Sequence, residues 1–349
     1  MTRRRRVITA LGAMTGGSLA GCSDAARRSE GGGSERWTFS ADASVKSAPT
    51  VAYGDVYVGS NDEKLYAIDA EDGAKRWSSR LLGRISSGPA VADSTVYVSD
   101  GTRVTAIEAG GGRKLWNALV EEEVYASPVV ADGTVYVGSN DGNVYALNAD
   151  GGAERWTFET DDPVAVSPAV AGNTVFVGSE GGTVYAIDAM EGAERWTFEA
   201  DGPIESSPTV VDDTVYVGSD DERVYALDTA AGTEQWAFRT GAEVRSSPAV
   251  ADGTVYVGSN DDNVYAVDAD EGTEQWRFET DGAVVSSPAV ADGTVYVGSH
   301  DGFVHALDAG DGTRQWAFQT RERVESSPAV ADDTVYVGSD DERLYALSV

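Results

Sequence analysis

Apolar and polar positions alternate in blocks along most of this chain, and the blocks recur about every 40 residues. Residues 246–278 show one unit: SSPAVADGTVYVGSNDDNVYAVDADEGTEQWRF. It contains four short runs, SPAVA, TVYVGS, NVYAVDA and EQWRF, separated by segments rich in Asp, Asn and Gly. Runs rich in β-branched and aromatic residues indicate strands joined by turns, and none keeps the 3.6-residue period of a helix. Each unit is therefore predicted to form four β-strands.

Two of the predicted strands are apolar at successive positions instead of alternate ones. Val255, Tyr256 and Val257 follow one another, so both faces of their strand must be covered. Small sheets stacked radially in a β-propeller cover both faces, and a fixed period in this range indicates a repeat fold. A proline opens each unit, and a proline belongs at a strand start or an edge, here facing the central channel. The prolines are Pro49, Pro89, Pro128, Pro168, Pro208, Pro248, Pro288 and Pro328.

The strand types at the two ends of the repeat region predict how the ring closes. The region begins with a tryptophan strand at residues 36–39 and ends with a third-type strand at residues 344–347. Pairing these two strands removes both open edges. We therefore predict an all-β fold, an eight-bladed β-propeller of four-stranded blades whose ring is closed by the N-terminal strand. In the second unit the segment 98–102 is one residue shorter, which predicts a tighter hairpin.

The N-terminus reads as a targeting segment. Residues 1–21 combine Arg3–Arg6 with a mildly apolar stretch too short to span a membrane, and they resemble a twin-arginine export signal. Residues 19–22 resemble a lipoprotein cleavage box, so we expect a lipid on Cys22, the only cysteine. Residues 22–34 then form a flexible tether, and residues 35–349 form the propeller domain. We expect an exported protein that is lipid-anchored to the outer face of the cytoplasmic membrane.

The net charge of the chain indicates its environment and limits the classes of partner. The whole chain has 26 basic and 58 acidic side chains, and loss of residues 1–21 leaves 22 against 58, a net charge of −36. Such a surface repels itself at low salt and tolerates high salt, so the chain reads as the exported protein of a halophile. The sign excludes a nucleic-acid partner, which needs a basic surface.

A turn motif repeats along with the strands. It reads Ala266-x-Asp268-x-x-x-Gly272-x-x-x-Trp276, and Glu108 and Asn148 replace the aspartate in two copies. The motif resembles the tryptophan-docking motif of the quinoprotein (PQQ-repeat) eight-bladed propellers. That resemblance implies that the tryptophans lock neighbouring blades together: Trp37, Trp77, Trp116, Trp156, Trp196, Trp236, Trp276 and Trp316.

The resemblance also suggests PQQ-dependent catalysis and calcium binding, which the residues of this chain do not favour. Quinoprotein dehydrogenases of that family stack their cofactor PQQ between a tryptophan and a vicinal cysteine pair and bind calcium, whereas here each tryptophan belongs to a docking motif. Asp268, Asp270 and Gly272 look like part of a calcium loop, but few copies keep the second acid. His300 and His305 lack further ligands nearby in sequence. We expect neither PQQ nor calcium nor another metal, and no catalytic residues.

The chain most resembles the outer-membrane β-barrel assembly lipoproteins of the BamB type. We therefore expect a non-catalytic, membrane-anchored and monomeric scaffold with a protein partner. Two alternatives stay open: a lipoprotein that binds a solute or polymer at the channel mouth, and a PQQ-dependent dehydrogenase.

The candidate partner surface comes from the position three residues before each repeat proline. That position holds seven residue types in eight copies, with only glutamate occurring twice, although its surroundings are nearly identical, so we place it at the rim of the channel mouth. Drift at exposed sites is the alternative. We expect Leu81 and Leu82, in one of these loops, to be exposed, and we expect the turns at residues 140–143 to lie on the opposite face. The candidate residues are Lys46, Leu81, Leu82, Tyr125, Glu205, Arg245, Val285 and Glu325.

Overall fold

The computed structural model describes residues 32–349, so the export signal, Cys22 and most of the tether lie outside the described residues. These residues form 32 strands in eight four-stranded sheets, and they contain no helix. The innermost strands have three residues each: β2 (Thr50–Ala52), β6 (Ala90–Ala92), β10 (Val129–Ala131), β14 (Ala169–Ala171), β18 (Thr209–Val211), β22 (Ala249–Ala251), β26 (Ala289–Ala291) and β30 (Ala329–Ala331).

The second and third strands form the middle of each sheet. The second strands are β3 (Asp55–Gly59), β7 (Thr95–Ser99), β11 (Thr134–Gly138), β15 (Thr174–Gly178), β19 (Thr214–Ser219), β23 (Thr254–Gly258), β27 (Thr294–Gly298) and β31 (Thr334–Ser339). The third strands are β4 (Lys64–Asp69), β8 (Arg103–Glu108), β12 (Asn143–Asn148), β16 (Thr183–Asp188), β20 (Arg223–Asp228), β24 (Asn263–Asp268), β28 (Phe303–Asp308) and β32 (Arg343–Ser348).

The outer strands carry the repeat tryptophans. They are β1 (Glu35–Ser40), β5 (Lys75–Arg80), β9 (Lys114–Leu119), β13 (Glu154–Glu159), β17 (Glu194–Glu199), β21 (Glu234–Arg239), β25 (Glu274–Glu279) and β29 (Arg314–Gln319). All paired strands are antiparallel, and β2 contacts both β6 and β30, so the innermost strands surround a central channel. We number the blades from β2–β5 as blade 1 to β30–β32 with β1 as blade 8. The predicted eight-bladed propeller is confirmed.

The chain ends meet in blade 8, where β1 is the outer strand. It pairs with β32, and Trp37 lies opposite Ala346 while Phe39 lies opposite Leu344. This is the closure that the strand types at the chain ends predict. The fold begins slightly earlier than residue 35, however. The Gly33 N–H donates to the Ser348 carbonyl over 2.8 Å, and Gly32 and Gly33 lie against the Trp316 ring. Residues 32–34 therefore belong to the ring and not to the tether.

The apolar core lies between blades. On β23 Val255, Tyr256 and Val257 are buried, as their succession in the sequence predicts. A typical core cluster joins Tyr256 and Trp276 of blade 6 to Val295 and Leu307 of blade 7. Each blade thus covers the face of the next, and closure of the ring leaves no blade face uncovered.

The docking turns, which join the third strand to the outer strand, fasten each blade to its neighbour. The Trp276 indole N–H donates to the Ala309 carbonyl over 3.0 Å, and the Tyr256 hydroxyl donates to the same oxygen over 3.0 Å. Gly312 lies over the indole with a φ of 73°, and a Cβ there would come within 2.6 Å of the ring. Glycine is required because it alone combines that backbone conformation with so close an approach. Equivalent indole bonds are made by Trp37, Trp77, Trp116, Trp156, Trp196 and Trp236.

The eighth docking position differs because the two chain ends form it. Gly33, with a φ of 80°, covers Trp316 from the N-terminal side, and a Cβ there would come within 2.6 Å of the indole. The Tyr296 hydroxyl is buried and has no hydrogen-bond partner among residues 32–349. Its counterpart Tyr256 uses the docking-turn carbonyl 53 residues further along the chain. Glycine packing is therefore retained at this position, while the tyrosine hydrogen bond is missing.

Candidate partner-binding face

The propeller has two faces with different contents. We call one the channel face: it carries the loops from each outer strand to the next innermost strand, together with the hairpins between second and third strands. We call the other the docking face, which carries the docking turns. The Asn140 N–H donates to the Glu123 carbonyl over 3.0 Å, so hairpin 139–143 lies against loop 120–125 on the channel face. The expectation that turns 140–143 lie on the opposite face is therefore wrong.

A cavity of about 200 Å³ opens at the channel mouth. Six of the eight variable positions line it: Lys46, Ser86, Tyr125, Ala165, Glu205 and Glu325. Arg245 joins this ring through an ion pair of 3.1 Å to Glu205. Val285 occupies the same place in its loop and is half-buried. The repeat position predicted from the sequence therefore lies at the mouth.

Hydrogen bonds between blades hold the mouth in shape. The Ser127 N–H donates to the Ser167 hydroxyl oxygen over 2.8 Å, and the next blades repeat this bond. The series is broken at Ala48 and Gly88, because neither residue has a hydroxyl group. A regular backbone frame thus presents irregular side chains. The other donor–acceptor pairs are Gly88–Ser127, Ser167–Ser207, Ser207–Ser247, Ser247–Ser287 and Ser287–Ser327.

Two clusters of ion pairs surround the mouth. In the first, Glu325 contacts Lys46 over 2.7 Å and Arg323 over 3.4 Å, and Arg323 also contacts Asp340 over 3.0 Å. Burial raises the pKa of Asp340 and the nearby Glu325 raises it further, although Lys46 and Arg323 oppose the rise. His300 lies 3.6 Å from Glu325.

The second cluster centres on Arg245. Its guanidinium contacts Asp220 over 2.7 Å and Glu205 over 3.1 Å. Burial raises the pKa of Glu205, and the Arg245 charge opposes that rise. Sequence reasoning did not include Asp220 and Asp340 in the surface. Both lie in hairpins between second and third strands, and only the correct placement of those hairpins could have brought them in.

The two leucines of loop 80–84 have different environments. Leu82 is 67% exposed, as expected of a partner surface, and Tyr125 is 50% exposed. Leu81 is only 2% exposed and packs with Tyr57 and Ile85, so its assignment to the surface is wrong. The Leu81 N–H donates to the Glu63 carbonyl, which turns the side chain inward. In the other blades the same position is most often threonine, and it is buried in all of them except at Ala200, which is half-buried.

The titratable groups considered for metals have structural contacts. The His305 Nε2–H donates to the Asp301 carboxylate over 3.0 Å, at the position where Tyr265 donates to Asp261 over 2.6 Å. Asp268 accepts the backbone N–H groups of Asp270 and Glu271, so its oxygen Oδ1 is engaged by its own turn. Within residues 32–349, no group of three or more His, Cys, Asp or Glu side chains could hold a metal ion.

The same part of the chain contains no helix long and apolar enough to cross a membrane.

Comparisons with known proteins agree with this architecture. The family model described as outer membrane protein assembly factor BamB matches residues 25–84, 73–167, 140–250 and 232–349. The protein of that name from Salmonella typhimurium is 34% identical over 62 residues, a match that spans 18% of this chain and only 16% of that protein.

Two crystal structures have the same fold at low sequence identity. BamB from Moraxella catarrhalis superposes with a TM-score of 0.79 at 20% identity, over 90% of this chain and 99% of that one. Quinohemoprotein alcohol dehydrogenase from Comamonas testosteroni gives 0.77 at 15% identity, over 90% of this chain and 76% of that one. At these identities the likeness concerns the fold alone. Because the family model covers the whole repeat region, the chain belongs to the PQQ-repeat propeller family of the outer membrane protein assembly factor BamB.

Proposed function

We propose that this protein is a non-catalytic scaffold that captures a protein partner on its channel face. One observation carries the proposal. Eight loops occupy equivalent places on a nearly identical frame, yet the side chains at the mouth range from Lys46 to Tyr125 to Glu325. The backbone is nearly the same in all eight loops, while the side chains at the mouth differ. This arrangement suits recognition of an irregular protein surface, with aromatic and arginine side chains as anchors.

Family membership supports an interaction role. The family model and the aligned segment of the Salmonella protein both bear the description of an outer membrane protein assembly factor. From this description we infer a role in assembly at a membrane. The proposed partner is a protein that binds to the channel face. The proposal assigns no step to PQQ or calcium.

A solute or polymer ligand is the second candidate, and the cavity at the mouth favours it. A space of about 200 Å³ lined by serine hydroxyls, Glu205 and Glu325 suits a small polar group. It is small beside ordinary ligand pockets of roughly 300–1,000 Å³, and it is open to solvent. The protein partner is therefore the stronger proposal.

Capture from membranes tests the proposed function. The triple variant Tyr125→Ser, Arg245→Gln, Val285→Ser changes the mouth and leaves the buried Leu81 alone. It should lose the partner that the unmodified full chain captures after cross-linking, and it should melt at nearly the same temperature. Met190→Ser is the matched control, because Met190 is 79% exposed in a docking turn on the other face. Equal capture by the triple variant, or loss of capture in Met190→Ser alone, contradicts the choice of face.

Membrane attachment is proposed through a lipid on Cys22. Cys22→Ser should release the domain into the medium or leave an unprocessed precursor, because the thiol is the attachment point. Cell fractionation and the mass of the membrane-bound form measure this. A mature-sized Cys22→Ser protein that still sediments with membranes would show that the lipid is not the anchor.

A further inference from the structure

Blade 2 carries an unusual share of the exposed apolar side chains. Leu82, Leu115, Leu119 and Tyr125 are four of the seven large apolar residues exposed within residues 32–349, and all four belong to blade 2 or to the loops beside it. Leu119 is 69% exposed. The other blades place polar or charged residues at its position: Ser40, Arg80, Glu159, Glu199, Arg239, Glu279 and Gln319.

Leu82 breaks a rule that the other blades mostly follow. Its position is usually acidic, as in Asp42, Asp161, Asp201 and Asp281. In blade 1 the Asp42 carboxylate pairs with Lys64 over 2.6 Å. In blade 5 Asp201 pairs in the same way with Arg223 over 2.9 Å. In these two blades the loop carboxylate thus neutralises the basic residue that opens the third strand.

Arg103 opens the third strand of blade 2 and lacks this partner. Its guanidinium makes no hydrogen bond or salt bridge to any of residues 32–349, and its Nε atom is buried without a partner. The nearby Asp100 is engaged elsewhere, since it accepts the Thr105 hydroxyl over 2.7 Å and the Leu82 N–H over 3.0 Å. A buried, unpaired guanidinium N–H is costly, so an acceptor from outside would stabilise it.

Leu82, Arg103 and Leu119 lie together. Leu119 is opposite Arg103 in the register of β8 and β9. Leu82 reaches the same place from the other side, because its N–H binds Asp100 and the Asp100 N–H binds the Arg103 carbonyl. The shortened hairpin predicted from the sequence makes this approach, with a bond from Asp100 to Arg103 where blade 1 bonds Ser60 to Lys64. We name these three residues the blade 2 corner.

Local charge also sets blade 2 apart. Its strands and turns hold three acidic residues, Asp93, Asp100 and Glu108, and three basic ones, Arg103, Arg113 and Lys114. Blade 6 holds eight acidic residues and only Arg277. The loop that follows blade 2 adds Glu121, Glu122 and Glu123, but over the strands and turns themselves an incoming carboxylate is repelled less at blade 2 than at blade 6.

We propose that the blade 2 corner binds an extended segment of the protein partner in which a carboxylate lies between apolar side chains. The carboxylate bonds the Arg103 guanidinium, and the apolar side chains cover Leu82 and Leu119. This rests on the proposed function and names where on the channel face the partner is held. A symmetric pair of two copies is disfavoured because it would bring two Arg103 side chains together.

The test uses the full chain in its own membranes, with the photoreactive amino acid p-benzoylphenylalanine in place of Leu119. Illumination should give an adduct heavier than the chain, and the cross-linked peptide should contain Asp or Glu among apolar residues. Arg103→Gln should lower the yield at least tenfold, while Arg103→Lys should keep most of it. Leu82→Asp restores the residue type of blades 1 and 5, so it should pair with Arg103 and abolish the adduct without lowering the melting temperature.

Two controls make the result specific. The same probe at Glu279, the matching position of blade 6, should give no adduct. Arg223→Gln, the matching arginine of blade 5, should leave the adduct at position 119 unchanged. An adduct of twice the chain mass, a lipid adduct, an adduct indifferent to Arg103, or none at position 119 overturns the inference. If a probe at Val285 captures a protein while position 119 does not, the proposed function stands and this inference falls; if neither position captures one, both fall.

Discussion

At the scale of single residues, the second-strand tyrosines show what one hydroxyl contributes. In blades 3 and 6 the hydroxyls of Tyr136 and Tyr256 donate to a docking-turn carbonyl of the next blade. Phe176 in blade 4 cannot do so, and the Tyr296 hydroxyl in blade 7 is buried without a partner. The same tyrosine is thus stabilising in one blade and unfavourable in another, because a buried polar group without a partner loses its bonds to water.

Tyr296→Phe and Tyr256→Phe should therefore act in opposite directions. The first removes an unpartnered buried hydroxyl and should be neutral or raise the free energy of unfolding. The second removes a bond of 3.0 Å and should cost about 1 kcal/mol. Urea denaturation of both variants measures the difference. If Tyr296→Phe were the more destabilising of the two, its hydroxyl would have a partner that the structure does not reveal.

The docking-turn carboxylates add a dependence on pH. The Arg195 guanidinium, followed by the N–H groups of Glu191 and Met190, lowers the pKa of Asp188 to about 2. Backbone N–H groups likewise lower the pKa of Asp69 and Asp268. An unfolded chain holds these groups near a pKa of about 3.9. Their stabilisation is therefore complete above that value and is lost as the pH falls toward 2.

Blade 3 supplies a natural control, because Asn148 holds its docking turn without a charge. The Asp150 N–H donates to the Asn148 side-chain oxygen over 2.9 Å. Asp188→Asn should flatten the loss of stability between pH 4 and pH 2, and Asn148→Asp should steepen it. Thermal melts across that range compare the slopes, and identical slopes for all three proteins would refute a role for these carboxylates in acid unfolding.

At the scale of strands and turns, the element that completes the ring is β1. Without it β32 would have an open edge, and the apolar face of blade 8 would lose Trp37 and Phe39. Exposed edges of this kind promote aggregation. The blades otherwise differ little, so stability depends unusually strongly on these few N-terminal residues.

Two deletions separate the closing strand from the tether. Removing residues 23–40 takes away β1 and should cause a large drop in melting temperature together with aggregation. Removing only residues 23–31 should leave the melting temperature unchanged. The shorter deletion stops before Gly32 because Gly32 and Gly33 lie against Trp316. Equal melting temperatures for the two deletions would mean that β1 does not close the ring.

The elements also show how far a sequence can predict such a fold. Strand number, ring closure and the mouth positions follow from periodicity, which is strong because seven near-copies repeat it. The side on which hairpin 139–143 lies could have been obtained by following antiparallel strand directions. Leu81 was harder to place, because a leucine next to Leu82 in a loop suggests exposure of both. Arg103 is unpaired because Leu82, in a preceding loop, stands where other blades have a carboxylate. No local sequence pattern around Arg103 predicts this contact.

At the scale of the whole molecule, the large negative net charge determines how stability depends on salt. Acidic residues outnumber basic ones 58 to 26. Repulsion among so many carboxylates opposes the compact state, and salt screens it over about 10 Å at 0.1 M and 3 Å at 1 M.

The domain should therefore be most stable in molar salt and should weaken as salt is removed. Melting curves of residues 32–349 in potassium chloride from 0.05 M to 3 M test this. Sodium sulfate at matched ionic strength separates screening from the general salting-out of apolar surface. A melting temperature that does not change with salt would contradict the halophile interpretation.

The direction of β1 has a consequence for how the molecule faces its surroundings. An outer strand runs from the docking face to the channel face, so Gly33 enters the ring at the docking face. The tether between Cys22 and Gly33 contains about ten residues, so it would reach at most roughly 35 Å when fully extended. If the proposed lipid on Cys22 holds the chain to a membrane, the attachment point would lie on the docking face of the disc. With that anchor, the mouth and the blade 2 corner would lie on the face opposite the attachment point, where the lipid surface would not obstruct a partner.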